Sequence, residues 1–591
     1  MGGRAHKLIA IGVAGVSVGA AVLSGGASPT SAGAGDPRPN VVVIQSDDQT
    51  LETMRVMRHT NRMLGDRGAT FRNHFVNWPV CCPSRATQLT GQYAHNHGVL
   101  GNKLPEGSYL RFDRDDNLAV WLAEAGYRVG HVGKFLNGYG PPEDRPETPY
   151  NDLTEVPPGW TDWLSGSAGD TYQFYGYIQN EWSGAPGDPR DGELVQYGNS
   201  APHFKTDVNN EDALSLIRNY SASGDPFYLQ LDHLAPHSGG PRDNPQPPLN
   251  CRRSAKPAPR HAHAFDDEPL VTLDDPSFNE ADVSDKPPHI AQLGSLTPDQ
   301  IEDIEGRYEC RLESMLAIDE GVQQVVRLLR RKGELANTYV IYTSDNGFFH
   351  GEHRIRLGKN DVYEPSIRVP LLIRGPSVPA GGRVRDLTIN ADLATTIMEL
   401  TGAEPEAGGP DGLSLLRPAK RPREETGREL LIETLNYTAV RTQRYKLASY
   451  TDGFTELYDL RRDPFEEANA AGEPRYAEVQ AALTARLDDL RSCAGDDCRL
   501  VPNLELQFRP LQGSCVSGPV RVTASGGDED AVVDARAFAR GKLADVDPNP
   551  PVALKVSRKE LKGKGRAEVR AQATLLDGRR VVQSRSFRIC R

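Results

Sequence analysis

Residues 40–46 read Asn-Val-Val-Val-Ile-Gln-Ser, an unbroken β-branched run without polar alternation. Such a run suits a strand covered on both faces, as in a parallel sheet. It ends in Asp47-Asp48. Apolar runs at residues 128–132, 227–231, 338–344 and 370–374 predict further strands, with helical patterns between them. The clearest helix starts at Thr297-Pro298, an N-cap followed by proline at the first helical position. It continues through Leu312, Met315, Leu316, Val322, Val325, Val326 and Leu329 and stops at Gly333. Strand–helix alternation of this kind predicts an α/β fold with a mixed, mainly parallel central sheet flanked by helices.

Beyond about residue 426 the pattern changes. Short alternating strands at residues 429–433, 438–441, 445–450 and 456–460, then a helix at 476–490, predict a smaller α+β unit. Residues 499–591 carry short strands broken by Gly and Asp and predict a β-rich appendage. Residues 141–158 and 251–288, rich in Pro, Asp and Arg, should be loops over the sheet's end. The expected division is 1–34, 35–426, 427–498 and 499–591.

The first of these is an address. Arg4 and Lys7 precede the uncharged apolar residues 8–23, and Ala32-Gly33-Ala34 supplies small residues for cleavage, which is a secretory signal pattern. The apolar run is shorter than a membrane span prefers. We therefore expect a secreted protein without stable membrane insertion. The formal net charge of −12 and the absence of any longer basic tract than Arg330-Arg331-Lys332 argue against a nucleic-acid partner. Export permits disulfides. Among the 8 cysteines, spacing favours Cys493 with Cys498, Cys515 with Cys590, and Cys251 with Cys310. Adjacent Cys81 and Cys82 are poor partners for each other, which leaves one of them for chemistry.

Chemistry-bearing residues follow strands, where an open α/β sheet binds ligands. Asp47-Asp48 closes the first strand and Asp345-Asn346-Gly347 closes the strand at 338–344. Together they could hold one hard divalent cation. Singly, each also reads as a helix cap or a turn. Cys81-Cys82-Pro83-Ser84-Arg85, followed by a helical stretch from Ala86 to Gly91, is more specific.

Cys81-Cys82-Pro83-Ser84-Arg85 resembles the C-x-P-S-R signature of type I sulfatases, and Leu89-Thr90-Gly91 continues the match. Asp47-Asp48, Ser344-Asp345-Asn346-Gly347, Gly351-Glu352-His353, Gly133-Lys134, Ala235-Pro236-His237 and Lys359 fall in the order that this family uses. The resemblance spans about residues 39–493, including the small C-terminal sheet near Asp463-Pro464. It implies an alkaline-phosphatase/sulfatase-like fold and oxidation of Cys81 to formylglycine by a maturation enzyme. It also implies a divalent cation, Ca2+, on Asp47, Asp48, residue 81, Asp345 and Asn346. Arg85, Lys134 and Lys359 would bind sulfate oxygens, and His237 would protonate the leaving alcohol.

The double cysteine, Gly133-Lys134-Phe135-Leu136-Asn137 and Ala235-Pro236-His237-Ser238 resemble most the N-acetylglucosamine-6-sulfatase branch, implying a sulfated sugar or aryl sulfate as substrate. Leu136 stands where other branches carry histidine. His95, His97, His350 and His353 could replace it, although structural roles explain each more simply. Two other readings stay open: a phosphodiesterase or phosphonate monoester hydrolase of the same superfamily, and a secreted carbohydrate-binding protein whose site is not matured.

Overall fold

The computed structural model describes residues 38–140, 152–167, 170–184, 191–240, 249–499, 501–510, 515–548, 551–563 and 565–590. The expected leader, residues 1–34, and residues 141–151 of the first loop lie outside them. Among the described residues no helix is long and apolar enough to cross a membrane.

The run at 40–46 is the centre of the fold. Strand β1 (Asn40–Ser46) belongs to a ten-stranded sheet with β2 (Ala69–Phe71), β3 (Arg128–Gly133), β4 (Asp162–Ser167), β5 (Ile178–Ser183) and β6 (Glu193–Gln196). Strands β7 (Phe227–Asp232), β8 (Thr338–Ser344), β9 (Leu371–Arg374) and β10 (Gly382–Val384) complete it. The order across the sheet is β10-β2-β9-β8-β1-β7-β3-β4-β5-β6. Neighbours from β8 through β4 run parallel, while β9, β5 and β6 pair antiparallel. Alternation along β1 explains its composition. Val42 and Ile44 enter one core with Leu229, Leu231, Val340, Leu312, Met315 and Val322. Val41 and Val43 enter the opposite core with Tyr228, Ile341, Leu118, Trp121 and Ile397. Neither face meets water, so neither can be polar.

Helix α1 (Cys81–Thr90) begins at the first cysteine of the motif, not at Ala86 as the sequence suggested. Pro83 is tolerated because its missing N–H lies in the first turn, where no intrahelical acceptor exists. Helices α2 (Lys205–Ser223) and α3 (Pro298–Lys332) cover one sheet face. The Thr297 hydroxyl accepts from the Gln300 N–H in a capping box, and Gly333 closes the helix at φ +83°. The loop at 251–288 is pinned to α3 by the Cys251–Cys310 disulfide. Cys493–Cys498 and Cys515–Cys590 also pair.

A four-stranded antiparallel sheet follows, built from Leu430–Glu433, Tyr437–Arg441, Tyr445–Tyr450 and Thr455–Asp459, with helix α4 (Ala477–Leu490) against it. The tail has its own apolar core. It is not an independent bead, because Glu425–Thr426 pairs with Arg580–Ile589 and extends the tail sheet into the main body. Arg580 also donates to Glu425 at 2.6 Å.

Two fully buried histidines make the fold acid-sensitive. Burial holds His74 down to about 3, with nearby Arg428 acting in the same direction, and holds His233 down to about 4 against the pull of Asp232. Their ordinary value is 6.5, so the unfolded chain protonates first. The stability they contribute is present above about pH 6.5 and is lost as pH falls toward the folded values. His74→Gln is expected to flatten the stability–pH slope between pH 6 and 4 by about 1.4 kcal/mol per pH unit. Denaturant titrations across that range measure it, and an unchanged slope would contradict the assignment.

Candidate active site

Parallel strands deliver their C-terminal ends to one edge of the sheet, and the acidic residues lie there. Asp47 and Asp48 leave β1, Asp232 ends β7, and Asp345 and Asn346 leave β8. Asp48 turns at φ +66°. That conformation costs a non-glycine residue on the order of 1 kcal/mol. It is held by the Asp48 N–H donating to Asp345 Oδ1 at 3.1 Å and by Arg311, which donates to the Asp48 carbonyl.

Gly133 is a second backbone requirement. At φ +106°, a Cβ there would lie 1.9 Å from the Asp232 carbonyl oxygen. Only glycine lets β3 approach β7 this closely, and the next N–H, that of Lys134, then donates to that carbonyl at 2.9 Å.

The start of α1 brings in Cys81, with Ser84 as its anchor. The Ser84 hydroxyl donates to the Asp345 carbonyl and accepts from Asn390 at 3.0 Å. Serine in the motif therefore ties the helix to the β8 loop. Cys82 faces away, buried in the apolar core, with its sulfur 3.9 Å from the Asn137 carbonyl.

Cys81 Sγ lies 3.5 Å from Asp47 Oδ1 and 2.9 Å from Lys359 Nζ. Lys359 also donates to Asp48 and, at 3.3 Å, to Asn346 Oδ1, while Lys134 donates to Asp47. Arg85 donates from Nε to Asp345 at 2.9 Å and from Nη1 to the Lys134 carbonyl at 2.8 Å, and lies 3.5 Å from Asp47. Its Nη2 makes no hydrogen bond. His237 Nδ1 donates to the Ser238 carbonyl at 2.7 Å, and its Nε2 sits 3.7 Å from Asp48.

Burial alone would raise Asp47, but Lys134, His237, Arg85 and Lys359 offset it and hold the carboxylate well below its usual range. Burial also pushes the Cys81 thiol up to about 12, with Asp47 adding to the rise. An unmodified Cys81 is therefore a neutral thiol near pH 7, and a poor nucleophile.

Donor atoms of Asp47, Asp48, Cys81 and His237 lie within 4.8 Å of one another. A set with two buried carboxylates among its four donors fits a divalent cation. A model of the sulfatase family matches residues 39–403. The chain belongs to the sulfatase family. A second model, N-sulphoglucosamine sulphohydrolase, C-terminal, matches residues 351–493. An arylsulfatase of Volvox carteri is 33% identical, over 79% of this chain and 76% of its own. The N-acetylglucosamine-6-sulfatase of Homo sapiens is 29% identical, over 79% of this chain and 87% of its own. A solved structure of a protein in complex with its substrate D-glucosamine-2-N,6-O-disulfate shares the fold. Its TM-score is 0.60 at 22% identity, over 78% of this chain and 98% of that one. The protein is accordingly a sulfuric ester hydrolase, a family that works through formylglycine and a divalent metal. These matches do not favour the phosphoester or binding-protein readings.

Within this sulfatase all the sequence-selected site residues converge, but not as one ligand set. Asp345 is turned to Arg85 and to the Asp48 N–H, and the Asn346 amide nitrogen donates to Asp48 at 2.6 Å. His237 joins the closely spaced donors instead. Leu136 is buried in the apolar core and supplies no proton donor. His95 pairs with Glu433, His97 with Thr87 and His353 with Glu280, while His350 packs against Tyr308. Each therefore serves the fold.

Sequence reasoning missed Arg311 and Tyr172. Arg311 is an ordinary polar break in the apolar pattern of α3. Tyr172 lies in the single turn Asp170–Tyr172, where no periodicity marks it. Its ring is tilted against that of His237, 4.8 Å between centroids, and lies 4.5 Å from Lys134 Nζ.

Gly133→Ala tests the close strand approach. Displacing Lys134 by about 1 Å is expected to lower kcat on an aryl sulfate about 10²-fold. A loss below threefold in a stably folded variant would show that the strand end adapts.

Proposed function

We propose that the enzyme is secreted and hydrolyses 6-O-sulfate esters of N-acetylglucosamine-type sugars, using formylglycine made from Cys81 and one Ca2+. The carrying observation is the placement of Cys81. It lies at a helix N-terminus, touching Lys359 and Asp47, in a pocket that keeps a thiol protonated. Formylglycine at residue 81 would supply there a hydrated carbon, with one hydroxyl as nucleophile and a second that permits sulfate release. The cation supplies Lewis acidity, and Asp47, Asp48, Asp345, Asn346 and residue 81 would hold it, with His237 beside them.

The chain's own cations do the rest. Arg85, Lys134 and Lys359 are fixed, largely desolvated donors for a monoanionic sulfate ester. Arg85 Nη2, which lies 3.5 Å from Asp47 and makes no hydrogen bond among the described residues, is a donor available to it. The hydrogen bond from Nδ1 to Ser238 leaves His237 Nε2 as the proton-exchanging atom for the leaving alcohol. The Tyr172 ring covers Lys134, which is almost fully buried.

The sugar specificity follows the Gly133-Lys134-Phe135-Leu136-Asn137 and Ala235-Pro236-His237-Ser238 segments and the similarity at 29% identity. Secretion follows the leader pattern at residues 1–34 and the three disulfides. We read residues 35–426 as the catalytic domain, 427–498 as its C-terminal subdomain and 499–591 as an appendage docked through Glu425–Thr426.

The test is chemical. A peptide containing residue 81, from enzyme secreted by its native host, should carry an aldehyde in place of the thiol. Cys81→Ala should abolish turnover while Cys82→Ala retains it. Chelation should remove activity and Ca2+ should restore it better than Mg2+. N-acetylglucosamine-6-sulfate should outpace nitrophenyl phosphate and phosphonate monoesters. An intact thiol at residue 81 in fully active enzyme would refute the proposal.

A further inference from the structure

Behind Arg85, away from the face that meets substrate, lies a second set of buried polar side chains. Arg85 Nη1 sits 3.3 Å from Asp232 Oδ2. Asp232 Oδ1 accepts from Gln230 Nε2 at 2.7 Å, and His131 Nε2 lies 3.3 Å from Oδ2, the oxygen that also faces Arg85. His131 Nδ1 is 2.5 Å from Ser165 Oγ, and Tyr228 donates to the Gln230 amide oxygen. His131 and Ser165 are fully buried, and Gln230 and Asp232 nearly so.

Strand register builds this row. His131 lies beside Gln230, and Gly133 lies beside both Asp232 and Ser165, so alternate residues of β3, β4 and β7 project from one face of the sheet.

Burial disfavours the charged form of His131, and for a neutral ring one proton arrangement satisfies every member. The Gln230 oxygen is occupied by Tyr228, so its NH2 group faces Asp232. Asp232 as a carboxylate only accepts. The His131 Nε2 must then carry the hydrogen, and Nδ1 is left to accept from the Ser165 hydroxyl. The ring is a neutral imidazole, fixed in plane by stacking on Trp163 at 4.7 Å and by edge contacts with Phe135 at 5.2 Å and Trp160 at 5.1 Å.

We propose that Asp232 and His131 are positioning residues that fix Arg85 for sulfate ester hydrolysis. The inference rests on the reading of Arg85 as an anion clamp. Asp47 and Asp345 also contact Arg85, but both belong to the group proposed to hold the cation, so their charge is shared. Among the described residues Asp232 pairs with no second Lys or Arg. It is the carboxylate dedicated to Arg85, and His131 and Gln230 hold it in the plane from which Nη1 is gripped. Loss of such a supporting residue behind a site typically costs about 10–100-fold in activity.

The experiment measures aryl sulfate turnover and inhibition by inorganic sulfate in purified, metal-replete enzyme with quantified aldehyde at residue 81. Asp232→Asn is expected to lower kcat/KM about 10–100-fold and to weaken sulfate inhibition, with aldehyde and Ca2+ content unchanged. In an Arg85→Lys background the same change should cost less than about twofold, because the two act as one unit. His131→Gln keeps a donor at the Nε2 position and should stay within about threefold of wild type. His131→Phe keeps the ring packing without the donor and should lose about tenfold or more. If Asp232→Asn does not fold, the two His131 variants decide alone. Multiplicative losses in the double variant, or equal effects of Gln and Phe at 131, would overturn the positioning role. An Arg85→Lys enzyme with near wild-type kcat/KM would instead overturn the clamp reading itself.

Discussion

Mutual neutralisation of buried charge is the constraint on which this fold turns. Asp47, Asp48 and Asp345 lie beneath the surface with Arg85, Lys134, Lys359 and Arg311 around them. Removing a single ion from water costs several kcal/mol even after relaxation, and an unpaired one is not tolerated. Each carboxylate therefore needs its cation, and each cation arrives from a different element: Arg85 from α1, Lys134 after β3, Arg311 from α3 and Lys359 from the loop after β8. The strand order follows from this need as much as from hydrophobic burial. Only a sheet whose central strands run parallel brings these loops to one edge, and only a sheet covered on both faces keeps the edge dry enough for the charges to act strongly.

The same need accounts for the backbone strain around the site. Asp48, His353, Arg354 and Asn360 all hold positive φ, and all lie on the loops that make or flank the site. In an ordinary loop such residues would relax. Here the side chain of Asp345, the guanidinium of Arg311 and the hydroxyl of Ser366 fasten the backbone from outside. Order is imposed by partners distant in sequence, which is what a preorganised electrostatic site requires.

That distribution also explains what could be read from the sequence. Local signals were sufficient for β1, for the Thr297 cap of α3 and for the three disulfides, because each depends on composition or spacing within one segment. The Cys81–Arg85 motif and the two acidic pairs were legible because short segments carry them. Arg311, Tyr172, His131 and Asp232 were not. Each sits in a pattern that an ordinary helix, turn or strand could carry, and acquires meaning only from register with another strand or from a loop packed above it. The start of α1 was misread because proline normally signals a break, whereas in a first turn it removes no bond. The pairing of Glu425–Thr426 with the tail was invisible for the same reason: two residues have no period.

A count of fixed charge connects the site to its substrate. At neutral pH the carboxylates of Asp47, Asp48, Asp232 and Asp345 balance Arg85, Lys134, Arg311 and Lys359, so the protein's own contribution is zero although the whole chain carries −12. A divalent cation added to this set leaves a local excess of two positive charges. A sulfate monoester would offset one of them, and the negative charge that develops on the leaving alcohol oxygen as the S–O bond breaks would offset the second until His237 protonates it. The balance therefore improves along the reaction, and binding strengthens toward the transition state rather than toward the ground state. The same arithmetic makes product sulfate the best-matched anion for the site, so its departure needs solvent to reach the exposed side, where Lys359 and His237 are the least buried of the charged groups. The acidic surface elsewhere then has a consistent part, repelling a released dianion from the surroundings of the pocket that produced it.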